Sequence, residues 1–309
     1  MKIVFMGTPE FAVPILEMLN IKHDVLLVVT QPDKPVGRKK TMTQSPVKNK
    51  AIELSLPLFQ PEKLTEDYQP ILDLKPDYII TAAYGQMLPQ VLLNQIEAIN
   101  VHGSLLPKYR GGAPIQYALF DGLNETGVTI MYMAFKMDSG DIIDQEAVEI
   151  LDDDNYQTLS IKLSHVGTRL LDKVLSDLAV GKNDRIPQNI DEVTFAFTLK
   201  REDEYLSFHQ TTKQVINRIR GLSPEPGAHA KINGHIIKFY QAQKSDIIDS
   251  KATPGTVLNT KKKLIIKTLD GAVEMIYVQS PGKKQMHAKD FLNGQTIMNQ
   301  GDVFIEGNE

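Results

Sequence analysis

The sequence predicts an α/β N-terminal domain with a mostly parallel sheet, followed by a smaller C-terminal β-barrel. Three observations carry this reading. Apolar, β-rich runs alternate with stretches of helical spacing in the first half, the pattern of crossover units around a parallel sheet. After residue 205 the pattern changes to short strands joined by tight Asn-Gly and Asp-Gly turns. The chain has 309 residues, more than one ordinary compact core accommodates.

Taken in order, Lys2–Met6 is the first strand, closed by Gly7-Thr8-Pro9. Phe11, Ile15, Met18 and Leu19 follow at helical spacing. Val25–Thr30, Asp77–Ala82 and Ala98–Val101 are further strands of the buried type. Val128–Phe135 and Ile142–Ile150 form a strand pair flanking Lys136–Asp141. Leu159, Leu163, Val166, Leu170, Val174 and Leu178 then mark a helix, and Gly181 stops it. Residues 182–205, with Pro187 near their start, mix scattered apolar residues with charge and read as a connection. The expected division is therefore an α/β domain over 1–188, a linker over 189–205 and a barrel over 206–309. In the barrel, Ala228–Ile232 and His235–Tyr240 flank Asn233-Gly234, and Leu264–Leu269 and Val273–Val278 flank Asp270-Gly271 plus one residue.

Composition narrows the function classes. Hydrophobic residues make up 42% and charged residues 23%, as in soluble globular proteins. There is no cysteine, which excludes disulfides, cysteine-based zinc sites and a cysteine nucleophile, and suits a reducing cytoplasm. The apolar start breaks at Gly7, too early for a signal sequence, and no run of about 18 apolar residues occurs. A cytoplasmic protein without membrane contact is expected. The net charge is −4, but it is unevenly spread. Residues 206–309 hold 14 Lys and Arg against 9 Asp and Glu, while residues 1–205 hold 20 against 29. Such a split fits a polyanion-binding C-terminal module, and equally a solvated lysine-rich surface.

The turn after the first strand is where a dinucleotide enzyme carries a glycine-rich phosphate loop. Gly7-Thr8-Pro9-Glu10-Phe11 has one glycine, and Glu10 would repel phosphate, so a nicotinamide cofactor is rejected. Asn100, His102 and Asp138 draw more attention. Acyl transfer to an amine develops an oxyanion and releases a proton. An Asn amide and an imidazolium can donate to that oxygen, and a carboxylate keeps the imidazole charged and oriented. Asn100 and His102, two residues apart, share a face of a strand. By themselves these residues are also compatible with a structural strand end. None of the seven histidines shows metal-ligand spacing, so no metal is expected.

A resemblance adds to this. Asn100-Val-His-Gly-Ser-Leu-Leu-Pro-Lys-Tyr-Arg-Gly-Gly-Ala-Pro-Ile-Gln116 strongly resembles the methionyl-tRNA formyltransferase family. So do Phe5–Phe11, Thr30–Arg38, Ser45–Lys48, Glu125–Met131 and Met137–Asp141, and, in the second half, Arg220–Pro224 and Pro281–Lys284. The likeness covers nearly the whole chain. It implies a formyltransferase fold, Rossmann-like in its sheet, and an OB-like C-terminal barrel. Asn100, His102 and Asp138 are its implied catalytic residues, a trio shared by other folate-dependent formyltransferases. The donor would be 10-formyltetrahydrofolate, held by Ser104, Leu105, Leu106 and Pro107 and by a slot drawn from Ala83–Pro89, including Tyr84, Gly85, Gln86 and Leu88. Plain core packing is the competing role for Leu105 and Leu106. The Leu106–Pro107 bond is a candidate cis bond.

The same resemblance implies that the polar loop Gln31–Thr43 meets the acceptor end of initiator methionyl-tRNA through Arg38, with Lys39 and Lys40 beside it. Lys261, Lys262, Lys263, Lys283 and Lys284 are the candidate RNA contacts of the barrel. A monomer is expected. Two departures stand out, since the family often has Trp where Glu225 stands and near Phe208, and this chain has no Trp. Two other readings remain. A formyltransferase for a small amine, such as a nucleotide sugar or glycinamide ribonucleotide, would not need the basic loop or barrel. A non-catalytic RNA-binding protein would not need the trio.

Overall fold

A computed structural model describes residues 1–36 and 41–305. They pack as two units. The first comprises Met1–Pro114, Glu125–Glu149 and Ser160–Phe197; the second comprises Ile115–Asn124, Ile150–Leu159 and the chain from Thr198 onward.

In chain order the first half runs β1 (Lys2–Gly7), α1 (Val13–Lys22), β2 (Asp24–Val29), β3 (Lys34–Val36), β4 (Thr41–Thr43), α2 (Pro46–Glu53), β5 (Leu58–Phe59), α3 (Gln69–Asp73), β6 (Tyr78–Ala82), α4 (Gln90–Leu93), β7 (Glu97–His102), α5 (Pro114–Phe120), β8 (Glu125–Tyr132), β9 (Ile142–Glu149) and α6 (Tyr156–Ala179). Seven strands form one sheet in the order β5-β2-β1-β6-β7-β8-β9. The first five are parallel; β8 and β9 run antiparallel. This matches the mostly parallel sheet expected. Ile3–Met6 are fully buried at the sheet centre. A strand covered on both faces must be apolar at every position, and this one reads as a continuous run.

Strand order turns between β1 and β6: β2 pairs one side of β1 and β6 the other. That is the switch point where open α/β sheets leave a crevice beyond the strand ends. The helix α2 was not foreseen, yet its signals are local. Ser45 caps it by accepting from the Lys48 N–H, and Pro46 occupies the first turn. Gly181, just past α6, has φ of +81°, the left-handed stop its position suggested. The region read as a connection is more structured than its composition implied. Ile186 bridges Ile142 of β9, and Phe195 bridges Arg110. Residues up to Phe197 thus belong to the first unit.

The second unit contains α7 (Thr212–Gly221), β10 (Ala228–Ile232), β11 (His235–Lys244), β12 (Val257–Asn259), β13 (Leu264–Lys267), β14 (Ala272–Gln279), β15 (Met286–His287) and α8 (Ala288–Leu292). Its sheet is antiparallel in the order β10-β11-β14-β13-β12, with β15 on β14. The segment Asp302–Ile305 touches both edges. The Ile305 N–H donates to the Lys231 carbonyl of β10, and the Val257 N–H of β12 donates to the Asp302 carbonyl. Phe208, Phe239 and Phe304 meet in the core with ring centroids 5.4–6.0 Å apart. Phe208 is therefore a core residue, so the missing Trp near it is a matter of aromatic packing. Glu225 lies between two cis prolines, Pro224 and Pro226.

Candidate active site

The site is built at the carboxyl ends of β1, β6 and β7. The loop after β6 begins with Ala83 and Gly85 at positive φ, 47° and 90°. It is held where β1 and β2 end. The Thr8 hydroxyl donates to the Tyr84 carbonyl at 2.9 Å, and the Gln31 amide donates to the same oxygen at 3.2 Å. The Gln86 amide is consumed within the scaffold, accepting from the Leu64 N–H and donating to the Pro61 carbonyl. Gln86 thus shapes this loop through backbone contacts. Leu88 is core. Tyr84 is also buried, but its hydroxyl has no hydrogen-bond partner among the described residues. Burial pushes this phenol up to about 12, so it stays neutral. An unpaired buried hydroxyl is costly unless a ligand group completes it.

Asn100 and His102 end β7. Asn100 stands opposite Thr81 of β6. The Thr81 hydroxyl donates to the Asn100 amide oxygen at 2.7 Å. The amide therefore presents its Nδ2 end as the free donor, with no partner among the described residues. His102 is buried, and its Nε2 lies 3.0 Å from the Tyr109 carbonyl. A carbonyl only accepts, so Nε2 carries a proton. Its Nδ1 faces Asp138 Oδ2 at 3.8 Å. That separation suits a charge pair but exceeds a direct hydrogen bond.

Asp138 sits in the turn between β8 and β9 with φ of +47°. One side chain supports this left-handed turn from behind. The Gln188 amide donates to the carbonyls of Asp138 and Gly140, both at 2.8 Å, and accepts from Arg110 at 2.7 Å and 3.0 Å. A Cβ on Gly140 would stand 1.9 Å from the Tyr132 carbonyl, so only glycine fits there. The Asp138 carboxylate accepts from the Gly111 N–H at 2.8 Å. Burial holds the Arg110 guanidinium below its ordinary pKa, with Asp138 opposing that shift. Tyr109 and Arg110 are in turn tied to Thr194 through their N–H groups.

Ser104–Pro107 follows β7 and is fixed from β8 and β9. The Thr129 hydroxyl donates to the Ser104 carbonyl at 2.6 Å and accepts from the Leu106 N–H at 3.1 Å. The Gln145 amide donates to the Leu106 carbonyl at 2.9 Å. The Ser104 hydroxyl donates to the Lys108 carbonyl at 2.7 Å. The Leu106–Pro107 bond is cis. Leu106 packs with Met131 and Ile142 in a small core of its own. Leu105 is half-buried, and its Cδ2 occupies the space a Cβ on Gly127 would need.

An oriented amide donor beside a buried imidazole–carboxylate pair can stabilise an oxyanion and handle a proton. Comparison with known proteins agrees with that chemistry. A formyl transferase model matches residues 1–175, and a formyl transferase C-terminal domain model matches residues 198–296. A methionyl-tRNA formyltransferase from Staphylococcus epidermidis is 48% identical over 310 residues, covering 98% of this chain and 99% of that protein. The chain belongs to the methionyl-tRNA formyltransferase family. Solved structures share its fold at lower identity. An N-formyltransferase from Helicobacter canadensis, in complex with folinic acid and dTDP-3-aminofucose, is 20% identical with a TM-score of 0.69, covering 91% of this chain and 99% of that one. HypX from Aquifex aeolicus, in complex with tetrahydrofolic acid, is 18% identical with a TM-score of 0.64, covering 98% of this chain. The chain spans about half of the HypX length, 50%.

For this formyltransferase, several residues at the site escaped sequence reasoning: Thr81, Gly111, Gln145, Gln188 and Thr194. Thr81 carried a usable signal, a single hydroxyl in the apolar run Tyr78-Ile-Ile-Thr-Ala82. Gln188 and Thr194 carried none, because they lie 48 to 85 residues from the groups they hold. Arg38, Lys39 and Lys40 lie outside the described residues. Lys261, Lys262, Lys263, Lys283 and Lys284 are all exposed, the first three between β12 and β13 and the last two between β14 and β15. Lys263 is paired to Glu274 at 2.8 Å. The described residues contain no group of three or more His, Asp or Glu arranged to hold a metal, and no described helix is long and apolar enough to cross a membrane.

Proposed function

We propose that this chain transfers a formyl group from 10-formyltetrahydrofolate to the amino group of initiator methionyl-tRNA, giving the formylated initiator used in translation. The observation that carries the reading is the fixed polarity of Asn100. With its amide oxygen taken by Thr81, Nδ2 is the end available to donate, beside the His102–Asp138 pair. The 48% identity to a methionyl-tRNA formyltransferase favours the tRNA acceptor over a small amine. The sugar-linked relative is alike at 20% identity, at the level of fold.

In this reading Asn100 Nδ2 and a proton on His102 Nδ1 donate to the formyl oxygen as it gains charge. Tyr109 anchors the far nitrogen of the ring, so the imidazole cannot swing away. Asp138 orients His102 and takes the proton that the attacking nitrogen loses as the new C–N bond forms; that proton passes to N10 of the folate as the old C–N bond breaks. The donor supplies an activated one-carbon acyl group. Its ring system suits the segment Ser104–Pro107 and the slot around Tyr84, Gly85 and Leu88. The unpaired Tyr84 hydroxyl is a polar group that such a heterocycle can complete. Gln86 and Leu106 contribute to the shape of that slot rather than by direct polar contact.

The catalytic domain is taken as 1–188 with the packed segment to Phe197 added, the linker as 198–205 and the tRNA-binding domain as 206–309, an OB-like barrel. Arg38, Lys39 and Lys40 read the acceptor end, while Lys261, Lys262, Lys263, Lys283 and Lys284 meet RNA phosphates. The protein acts as a cytoplasmic monomer without a metal. The test is direct. The protein is incubated with 10-formyltetrahydrofolate and, separately, charged initiator tRNA, free methionine or a nucleotide-linked amino sugar. Formyl product on the tRNA alone is expected. Product on the sugar amine, or tRNA binding without turnover, would reject the reading.

A further inference from the structure

The segment after Gln188 presents an aromatic pair that no step so far uses. Phe195 and Phe197 are 49% and 58% exposed, unusual for phenylalanine. Their rings stack with centroids 5.3 Å apart and planes within 3° of parallel. Between them Ala196 is fully buried. Ala196 thus turns inward while the ring on either side of it turns outward. The inward side is bound to the catalytic loop. The Ala196 N–H donates to the Arg110 carbonyl, the Ala113 N–H donates to the Ala196 carbonyl, and Phe195 bridges Arg110. The same loop carries the Tyr109 carbonyl that anchors His102. A Cβ on Gly111 would meet the Ala196 carbonyl at 2.3 Å, so the segment lies as close to this loop as backbone allows. The aromatic pair is thus rigidly placed next to the proposed chemistry.

We infer that Phe195 and Phe197 form a stacking platform for the 3′-terminal base of the aminoacylated RNA. This rests on the tRNA acceptor proposed above. The geometry of the acceptor makes the placement natural. The attacking nitrogen and the 3′ carbon of the terminal ribose are separated by the amino acid and one ester oxygen. The terminal base must therefore sit at the mouth of the site that holds the amine. Single-stranded RNA ends are commonly held by bases stacking on aromatic rings, which accept any base face. A rigid ring pair does this with little ordering cost. A small-amine substrate has no base in that position.

The test is a cycle of two changes. Formylation is measured for methionyl-tRNA with an intact 3′-terminal base and for the same RNA made abasic there and acylated chemically. Each is assayed with the unaltered protein and with the variant carrying F195L and F197L. Removing the base should lower kcat/KM of the unaltered protein by about 5- to 100-fold, the range of one base–aromatic contact. The Leu variant should show a similar loss with the intact RNA and no further loss with the abasic one. F195Y with F197Y should restore the unaltered behaviour. Additive losses, or a Leu variant unchanged on intact RNA, would overturn the inference. So would a loss traced to altered self-association in sedimentation. A 2-aminopurine at the 3′ end separates this from failure of the function itself. Its fluorescence should be quenched by the unaltered protein and not by the Leu variant, whether or not formyl is transferred. Equal quenching by both would overturn the platform alone.

Discussion

The decisive residue-scale contact is the one between Thr81 and Asn100. An isolated Asn amide presents its donor and acceptor ends with near-equal ease. Here the Thr81 hydroxyl donates to the oxygen end at 2.7 Å, which leaves Nδ2 as the end without a partner among the described residues. Replacing Thr81 with Val keeps the shape and removes that choice. We expect T81V to lower kcat about tenfold, the value of roughly one buried hydrogen bond, while KM for the folate donor stays unchanged. T81S should recover most of the rate. Loss of donor binding together with rate would show a merely structural role. A second residue-scale expectation concerns His229 in the other unit. It is buried, its Nδ1 has no hydrogen-bond partner among the described residues, and Glu204 stands 3.9 Å away. Burial outweighs that carboxylate and lowers the His229 pKa below its ordinary 6.5. The unfolded chain then binds the proton more readily than the folded one. Stability is full above pH 6.5 and declines as pH falls through the lowered value. Chemical denaturation followed between pH 8 and 5 should show this slope, and H229N should flatten it. An unchanged slope would remove His229 as its source.

At the scale of elements, the site depends on how closely β8 approaches the segment after β7. Gly127 of β8 is the contact. A Cβ there would stand 2.4 Å from both Leu105 Cδ2 and the Glu146 carbonyl. The strand pairing on one side cannot yield without breaking its ladder, so Leu105 must move. We expect G127A to cost about 1–3 kcal/mol in stability, as overpacking does. It should also raise KM for the folate donor several-fold with kcat little changed, because Asn100, His102 and Asp138 are fixed by other contacts. A normal donor KM would separate Leu105 from the donor site. The β8–β9 turn shows the same logic in reverse. Its left-handed Asp138 is maintained by Gly140 and by Gln188, a residue from beyond α6.

On the scale of the whole molecule, the net charge of −4 conceals a basic C-terminal half. Of its five candidate lysines, Lys263 already has a carboxylate partner and four make no ion pair among the described residues. Changing Lys261, Lys262, Lys283 and Lys284 to Gln should weaken tRNA binding and flatten its dependence on salt. Each lysine that truly meets a phosphate accounts for close to one unit of the logarithmic slope. Formylation at saturating tRNA should be unaffected. An unaltered slope would mean that this surface is only solvated, the alternative its composition always allowed.

Much of this molecule was legible in its sequence. Apolar runs marked four of the five parallel strands of the first half, β5 excepted, and apolar runs with Asn-Gly and Asp-Gly turns marked two hairpins of the second, because burial on one or both faces dictates which positions must be apolar. Asn100 and His102 were recognisable as a pair because a strand alternates its faces. Short motifs, through family resemblance, pointed to formyl transfer, and a proline in a tight functional turn pointed to the cis bond at Pro107. Only the tertiary structure decided how those groups are aimed. It put Thr81 against Asn100, the Tyr109 carbonyl against His102, and Gln188 behind Asp138. It also tied part of a segment read as a linker to the loop carrying Tyr109 and Arg110, with two phenylalanines left exposed. The reason is physical. Periodicity reports how each residue meets the core of its own element, whereas hydrogen-bond orientation arises between residues brought together from 7 to 50 positions apart.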